Sequence, residues 1–217
     1  MSRGNSGARA LGAFALVLLA ACGPGLRPLP PATMPTPVMR PAAATVPPNR
    51  PASSGVLSPG VSDADLDALW TRQLMVPIAG MEPAQLRDDY EARRGARAHL
   101  ALDMLAPKGT AVVAADDGRI GRLGTTPVGG NIIYALDAND RFVYYYAHLD
   151  DYARGLAVGD YVRKGDVLGY VGTTGNAPSN TPHLHFQVMR KGAGRTWWEG
   201  PPINPWAFFV HSGAPNR

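Results

Sequence analysis

The sequence has one cysteine among 217 residues, and charged side chains make up only 18% of it. A single cysteine excludes an internal disulfide and any metal cluster built from several thiolates. The 21 prolines and 25 glycines exclude a coiled coil and an all-helical bundle, and there is no Gly-X-Y repeat to indicate collagen. The formal net charge of +4 permits weak attraction to anionic polymers but does not indicate nucleic acid. The length fits one medium domain with appended segments.

The first 21 residues have the pattern of a secretory signal peptide. Two arginines precede an apolar run at residues 11–21, which is too short for a helix that spans a bilayer. The only cysteine, Cys22, follows Leu19-Ala20-Ala21, and this stretch resembles the lipobox of bacterial lipoproteins. That resemblance implies cleavage before Cys22 and lipidation of its side chain. An ordinary cleaved signal followed by a chance cysteine is the alternative.

Residues 22–60 are expected to form a disordered, Pro-rich tether that begins with the lipidated cysteine. Residues 23–60 hold eleven of the 21 prolines and no acidic residue, so they lack a pattern that could fold. Anchor and tether together predict a lipid-anchored protein of the cell envelope. In a Gram-negative host, Gly23 rather than Asp after the lipidated cysteine favours the outer over the inner membrane, with the protein facing the periplasm. A Pro-rich recognition peptide is the alternative interpretation of the tether.

The rest of the chain indicates a mainly β protein that follows one short helix. Ser62 is a suitable cap for a helix over residues 63–70, in which Leu66, Leu69 and Trp70 share a face. Short runs rich in β-branched or aromatic residues follow, separated by clusters of Gly, Asp, Asn and Pro. The predicted strands are Val112–Val113, Asn131–Leu136, Phe142–Ala147, Val167–Val171 and His183–Val188. They predict a compact antiparallel β-sandwich or barrel-like fold, in which the second and third strands form a hairpin.

Four of the five histidines lie where they could take part in chemistry. His183 and His185 are two residues apart in a predicted strand, so both imidazoles project from one face. His99 and Asp103 would lie about 13 Å apart in an extended strand, so the chain has to bend between them if both bind one ion. His148 ends an aromatic strand. Each of these features alone is more often an ordinary surface group than a ligand.

The combination is more specific than its parts. His99, Asp103 and one histidine of the 183/185 pair supply three nitrogen or carboxylate ligands. Three protein ligands and one open position are typical of a catalytic zinc site, and zinc suits imidazole and carboxylate donors. Such an ion makes water nucleophilic near neutral pH, and the remaining histidines could move protons or stabilise an oxyanion.

Several stretches carry a resemblance to a known family. They are His99–Thr110, Ala114–Gly118, Tyr146–Leu149, Val158–Gly169, Gly172–Gly175 and Pro182–Val188. In order and spacing they resemble the LytM/lysostaphin-type zinc metallopeptidases, which cut peptidoglycan peptides. The resemblance runs from about residue 86 to residue 209. One departure is Ala101, where many members have Gly.

The resemblance implies a particular site and substrate. It implies one Zn²⁺ per chain held by His99, Asp103 and His185, with His148 and His183 as the catalytic pair. It also implies an antiparallel β fold of the duplicated hybrid motif type, and hydrolysis of the peptide cross-links of peptidoglycan. The partners expected are peptidoglycan stem peptides and, through the lipid anchor, a membrane.

These interpretations give a division of the chain. We expect a signal peptide over residues 1–21, the tether over 22–60, and a short helix with its lead-in over 61–85. The metallopeptidase domain follows over 86–210. A tail over 211–217 contains the fifth histidine, His211, which is expected to be solvated.

Two other functions fit parts of the pattern. A catalytically silent relative could instead activate cell-wall amidases, although the complete set of five site residues favours an enzyme. A lipoyl- or biotinyl-type carrier would use Lys164, which lies in a Gly-Asp-rich turn that resembles those domains. Strand alternation also places Tyr144 and Tyr146 on the face of His148, so these tyrosines, with Trp197 and Trp198, are candidates to line a substrate groove.

Overall fold

The computed structural model of the chain describes residues 58–210. The predicted signal peptide, Cys22 and nearly all of the tether lie outside the described residues, as does His211 with the rest of the tail. Within residues 58–210, no helix is long and apolar enough to cross a membrane.

Strands dominate the described part of the chain, with one helix at each end. The helices are α1 (Asp63–Trp70) and α2 (Trp206–Val210), and short 3-10 turns lie at Pro83–Gln85 and Gly194–Thr196. The strands are β1 (Arg93–Arg94), β2 (Arg97–Ala98), β3 (Leu102–Leu105), β4 (Ala111–Val113), β5 (Gly118–Thr126), β6 (Gly130–Asp137), β7 (Phe142–Tyr152), β8 (Tyr161–Val162), β9 (Val167–Val171), β10 (His183–Arg190) and β11 (Pro202–Ile203). The prediction of a mainly β protein with a short leading helix is confirmed.

The main sheet has nine strands, and every pairing in it is antiparallel. Its central path runs β11-β10-β7-β6-β5-β8; β3 pairs with β10, and β9 pairs with both β7 and β4. Within residues 58–210 the path ends at β11 and β8 and does not close into a barrel. The predicted hairpin is present as β6 and β7, which are longer than the sequence pattern indicated.

Helix α1 is fixed at its start by the predicted cap. The Ser62 side chain accepts a hydrogen bond from the Asp65 backbone N–H, and the Asp65 carboxylate accepts one from the Ser62 backbone N–H. This reciprocal pair satisfies backbone donors that a helix start leaves without partners. The Asp65 carboxylate also accepts a hydrogen bond of 2.9 Å from Nε of Arg141. This contact attaches the helix to the turn before β7.

Side chains of strand β7 alternate between the core and the opposite face of the sheet. Tyr144 and Tyr146 are buried in the core, where the Tyr146 hydroxyl accepts a hydrogen bond from the Ala115 backbone N–H. The expectation that these two tyrosines line a groove was therefore wrong. Tyr145, between them, projects to the other face and lies edge-on to His185, with ring centroids 6.0 Å apart.

The alternation along β7 breaks at His148. This residue has φ +61°, a left-handed conformation that is uncommon for a residue with a β-carbon. The pairing of β6 with β7 also shifts register between Asn131 and Ile133, next to His148. Because of this irregular backbone, the His148 side chain does not point inward with those of Tyr144 and Tyr146. The sequence analysis assumed a regular strand and therefore placed all three on one face.

Candidate metal centre

Strand pairing places Asp103 and His185 side by side. Strand β3 pairs with β10 so that His185 lies directly opposite Asp103, and on its other side His185 lies opposite Ala147 of β7. Residues opposite one another in an antiparallel pair project to the same face of the sheet. The Nδ1 atom of His185 lies 3.0 Å from Oδ1 of Asp103.

A bend before β3 brings His99 to the same point. Leu100 has φ +57°, so the chain turns between the hairpin β1–β2 and strand β3 instead of continuing extended. Nε2 of His99 then lies 3.0 Å from Oδ1 of Asp103 and 3.1 Å from Nδ1 of His185. The predicted bend between His99 and Asp103 is thus present, one residue after the histidine.

The separations of the three donor atoms are close to those around a small divalent ion. A zinc ion bonded to nitrogen or oxygen at about 2.0–2.2 Å has tetrahedral donors roughly 3.3–3.6 Å apart. The observed sides of 3.0–3.1 Å are slightly shorter, and all three atoms come from ligand types that zinc prefers. The side chains of His99, Asp103 and His185 are 4%, 16% and 21% exposed, so solvent reaches the cluster at Asp103 and His185 rather than at His99. The residues present therefore fit zinc.

Outer contacts fix the orientation of His99. Its Nδ1 lies 3.1 Å from the backbone carbonyl oxygen of Asp89. Because a carbonyl oxygen can only accept, Nδ1 is the donor, and in the neutral ring Nε2 presents its lone pair to the cluster. The Asp89 carboxylate also accepts a hydrogen bond of 3.2 Å from the Asp103 backbone N–H. Asp89 thus holds two members of the cluster, in the manner of partners that orient metal ligands in proteins.

Charge keeps Asp103 in its ionised form. Burial acts to raise the pKa of Asp103, but the contacts of its carboxylate with the imidazoles of His185 and His99 outweigh that effect and hold the pKa well below its usual range. Arg94, from strand β1, forms an ion pair with Oδ2 of the same carboxylate. The two carboxylate oxygens of Asp103 therefore have different partners, and Oδ1 is the one that faces the two histidines.

The remaining two histidines lie against this cluster. The rings of His148 and His183 have centroids 4.8 Å apart, His148 lies 5.7 Å from His185, and Nε2 of His183 is 3.9 Å from Oδ1 of Asp103. Nδ1 of His148 donates to the Thr174 carbonyl oxygen at 2.8 Å, and Nδ1 of His183 donates to the Thr181 carbonyl oxygen at 2.8 Å. In the neutral form each ring therefore has an unprotonated Nε2.

Burial also sets the protonation of His148. Burial lowers the pKa of its imidazole to about 4, and the hydrogen bond to the carbonyl oxygen of Thr174 opposes that shift only in part. An imidazole with so low a pKa is neutral at physiological pH. Its Nε2 is then able to accept a proton.

The structure brings together all five site residues that the sequence singled out. Their roles as ligands and as catalytic groups remain predictions. Sequence reasoning missed Asp89, Arg94 and Tyr145, which contact the cluster. Acidic and basic residues upstream of a histidine carry no distinctive spacing. Tyr145 was passed over because regular alternation, carried through to His148, put Tyr144 and Tyr146 on the face of that histidine instead.

The structure does not support the role of Lys164 as a carrier lysine. Its Nζ donates to the backbone carbonyl oxygens of Arg72 at 2.6 Å and Gln73 at 2.8 Å. A carrier lysine needs a free amine at an exposed hairpin tip, whereas this amine joins the turn before β9 to the segment after α1.

Fold and site together define a class: an antiparallel β protein with a His-Asp-His cluster suited to a divalent ion and two further imidazoles beside it. The model of peptidase family M23 matches residues 97–205, which is half of the chain. The chain belongs to that family, and the resemblance to LytM/lysostaphin-type enzymes is confirmed.

This chain matches only part of each full-length relative. The chain is 34% identical over 134 residues to the L-Ala–D-Glu endopeptidase of Bacillus subtilis, covering 55% of this chain and 40% of the relative. It is 38% identical over 109 residues to the DD-carboxypeptidase/endopeptidase Mpg of Neisseria meningitidis, covering 50% and 22%. The crystallised catalytic domain of lysostaphin from Staphylococcus simulans is 30% identical, with a TM-score of 0.48 over 57% of this chain and 90% of that domain. The chain thus spans less than half the length of the two full relatives.

Proposed function

We propose that this protein is a zinc-dependent endopeptidase that hydrolyses the peptide cross-links of bacterial peptidoglycan. Membership of peptidase family M23 supports hydrolysis of peptidoglycan peptides as the general activity. The observation that carries the proposal is the cluster itself: three donor atoms of His99, Asp103 and His185 lie 3.0–3.1 Å apart, with two unprotonated imidazole nitrogens nearby.

The division of labour follows from the hydrogen bonds. His99, Asp103 and His185 would hold the zinc ion, which when bound activates water and polarises a carbonyl group. The imidazoles of His148 and His183 are the groups that move protons. One accepts a proton at Nε2 from the attacking water, and the other, once protonated, donates to the developing oxyanion or to the leaving amine. The carbonyl oxygens of Thr174 and Thr181 keep both rings in the tautomer that this requires.

The catalytic residues do not determine which peptide bond is cut. The two full relatives are named for different bonds, L-Ala–D-Glu in one and a DD linkage in the other. Because zinc held by these ligands would polarise any peptide carbonyl, the bond that is cut depends on the side chains around the cluster rather than on the ligands.

Digestion of cross-linked muropeptides tests the proposal. The purified protein is incubated with them with and without a chelator, and the products are identified by mass spectrometry. We expect monomeric products whose formation stops with chelator and returns with added zinc, and their masses identify the bond. A matched His183→Ala variant should retain zinc and give no products.

The amidase-activating role gives the opposite result. A protein of that kind would leave the muropeptides intact, with or without zinc, and would instead stimulate an added cell-wall amidase. Intact muropeptides with a zinc-loaded, folded protein would therefore contradict the endopeptidase proposal.

For localisation, the lipobox-like stretch before Cys22 supports a lipid anchor in the outer membrane. A Cys22→Ser variant should appear in the soluble periplasmic fraction, whereas the unaltered protein should fractionate with outer membranes and incorporate labelled fatty acid. Incorporation of no label by the unaltered protein would contradict the anchor.

A further inference from the structure

A row of four side chains crosses the sheet beside the metal centre. Arg122 of β5 lies opposite Tyr134 of β6, Tyr134 lies opposite Tyr145 of β7, and Tyr145 lies opposite Gln187 of β10. Opposite residues project to one face, and Gln187 is two residues beyond His185 on the same strand. The row therefore shares the face of the metal centre and leads away from it.

Ring contacts make this row continuous. Tyr145 lies edge-on to His185 at 6.0 Å, and Tyr134 stacks on Tyr145 at 4.5 Å between ring centroids. The guanidinium carbon of Arg122 lies 5.9 Å from the centre of the Tyr134 ring and 4.6 Å from that of Trp198. These separations are within the range of a cation–π contact. All four side chains of the row are half-buried, so a ligand on the sheet can reach them.

The loop after β10 keeps the guanidinium in place. Trp197 and Trp198 pack against a small apolar cluster formed by Leu136, Val143 and Met189. A β-carbon at Gly121, next to Arg122, would lie 2.5 Å from the Trp197 ring, so the loop approaches β5 as closely as glycine allows. Arg122 therefore stacks on an indole that is itself fixed, which lowers the entropy cost of using it in binding.

The charge of Arg122 has no acidic partner in the described structure. Among residues 58–210, the ion pairs within 4.0 Å that involve an arginine use other arginines, such as Arg72 with Asp116 and Arg141 with Asp65, and none includes Arg122. A stacked guanidinium keeps its N–H groups available at the edge of the plane, where they match a carboxylate.

We propose that Arg122 is a specificity-determining residue that binds a carboxylate of an acidic peptide substrate lying along this row. Three strand spacings separate β10 from β5, roughly 14 Å. About four residues of extended peptide cover that length, so the carboxylate recognised lies several residues from the bond that is cut. This inference rests on the proposed peptidase function, because it places the same substrate in a defined direction across the sheet.

The test compares a substrate with its amidated form. A cross-linked muropeptide is used with its carboxylates free, and again with them converted to amides. The zinc-loaded full chain is compared with Arg122→Gln and with Arg119→Gln, a matched control that removes an arginine from the same strand. We expect kcat/KM to favour the free carboxylates about tenfold in the unaltered protein and in Arg119→Gln. In Arg122→Gln that ratio should fall towards one, mainly through KM.

A binding measurement separates this inference from the proposed function. The two forms of the peptide are titrated into His183→Ala protein with and without Arg122→Gln, and tryptophan fluorescence reports Kd. A tenfold preference for the acidic form that disappears with Arg122→Gln supports the inference, even if no cleavage is found. Equal affinity for both forms in the protein with Arg122 intact, or a preference that survives Arg122→Gln, would overturn it.

Discussion

Arg94 and Asp103 form an ion pair that assigns the two oxygens of one carboxylate to different partners. Arg94 contacts Oδ2, while Oδ1 lies 3.0 Å from Nε2 of His99 and 3.0 Å from Nδ1 of His185. An aspartate that is free to rotate would present either oxygen to an ion. The pair therefore orients Asp103 before any ion binds.

Removal of this arginine should weaken the metal site without removing a ligand. For Arg94→Ala we expect the zinc affinity to fall by about tenfold or more, as for other partners of metal ligands. Competition with a fluorescent zinc chelator measures this. Arg97→Ala is the control, because Arg97 lies opposite Arg94 in the same hairpin. Equal zinc affinity in the Arg94→Ala and unaltered proteins would show that the pair has no orienting role.

Ligands and proton carriers should separate cleanly by substitution. His185→Ala and Asp103→Ala should lose both zinc and activity, because each removes a donor atom from the cluster. His148→Ala and His183→Ala should keep about one zinc per chain and lose activity by about 100-fold or more. Elemental analysis gives the zinc content, and muropeptide turnover gives the rate. A His185→Ala protein with full zinc content and turnover would refute the ligand assignment.

The contact between Gly130, the first residue of β6, and the loop after β9 should be needed for activity. Gly130 has φ +64°, and a β-carbon there would lie 2.1 Å from the Thr174 side-chain oxygen. Thr174 supplies the carbonyl oxygen that orients His148, so Gly130→Ala should lower kcat severalfold with little change in zinc content.

Gly155→Ala is the matched control for that substitution. Gly155 has φ +84°, and nothing lies within 4 Å of a β-carbon built there. The alanine substitution therefore introduces only backbone strain, of about 1 kcal/mol. Both variants should unfold at lower denaturant concentration than the unaltered protein, and only Gly130→Ala should lose turnover. Equal turnover in the two variants would show that the loop contact does not position His148.

Stability in acid should depend on Asp65. Burial acts to raise its pKa, but hydrogen bonds from Ser62 and Arg141 outweigh that effect and hold the pKa at about 2, below the ordinary 3.8. A lowered pKa in the folded state stabilises the fold above pH 4, and this contribution, about 2 kcal/mol, is lost as the pH falls towards 2. The unaltered protein should therefore exceed Asp65→Asn in free energy of unfolding at pH 7, with a difference that shrinks between pH 4 and pH 2.

Denaturant titrations at several pH values measure that difference. Asp63→Asn is the control, since it removes a carboxylate from the same helical turn. A gap between the Asp65→Asn and unaltered proteins that stays constant down to pH 2 would contradict the assignment of the shift to Asp65.

Much of the fold and the candidate site could be predicted from the sequence, because local patterns specify them. Alternation and turn residues identified β6, β7, β9 and β10, and the spacing of His183 and His185 indicated a shared face. Strand β3, which contains Asp103, was not predicted. Its four residues show no alternation long enough to recognise, and they become a strand through pairing with β10.

The residues that were missed depend on one irregular backbone conformation nearby and on long-range contacts. Tyr145 reaches the site because its strand keeps regular alternation, whereas His148 reaches it because its own conformation is left-handed. Nothing in Tyr144-Tyr145-Tyr146-Ala147-His148 indicates that the last residue departs from the pattern. The ion pair from Arg94 likewise depends on how the β1–β2 hairpin folds over β3, a long-range arrangement that local sequence does not encode.

The left-handed residue in β7 has a consequence for how this domain tolerates change. One strand fills the interior with Tyr144 and Tyr146 and also presents the His148 imidazole to the cluster on the other face of the sheet, and the left-handed conformation of His148 makes the two compatible. If His148 adopted the extended conformation of the rest of the strand, alternation would turn its imidazole inward with Tyr144 and Tyr146, although every side chain important for chemistry would still be encoded. The backbone conformation of this short segment should therefore vary less among functional relatives than the identity of the residues within it.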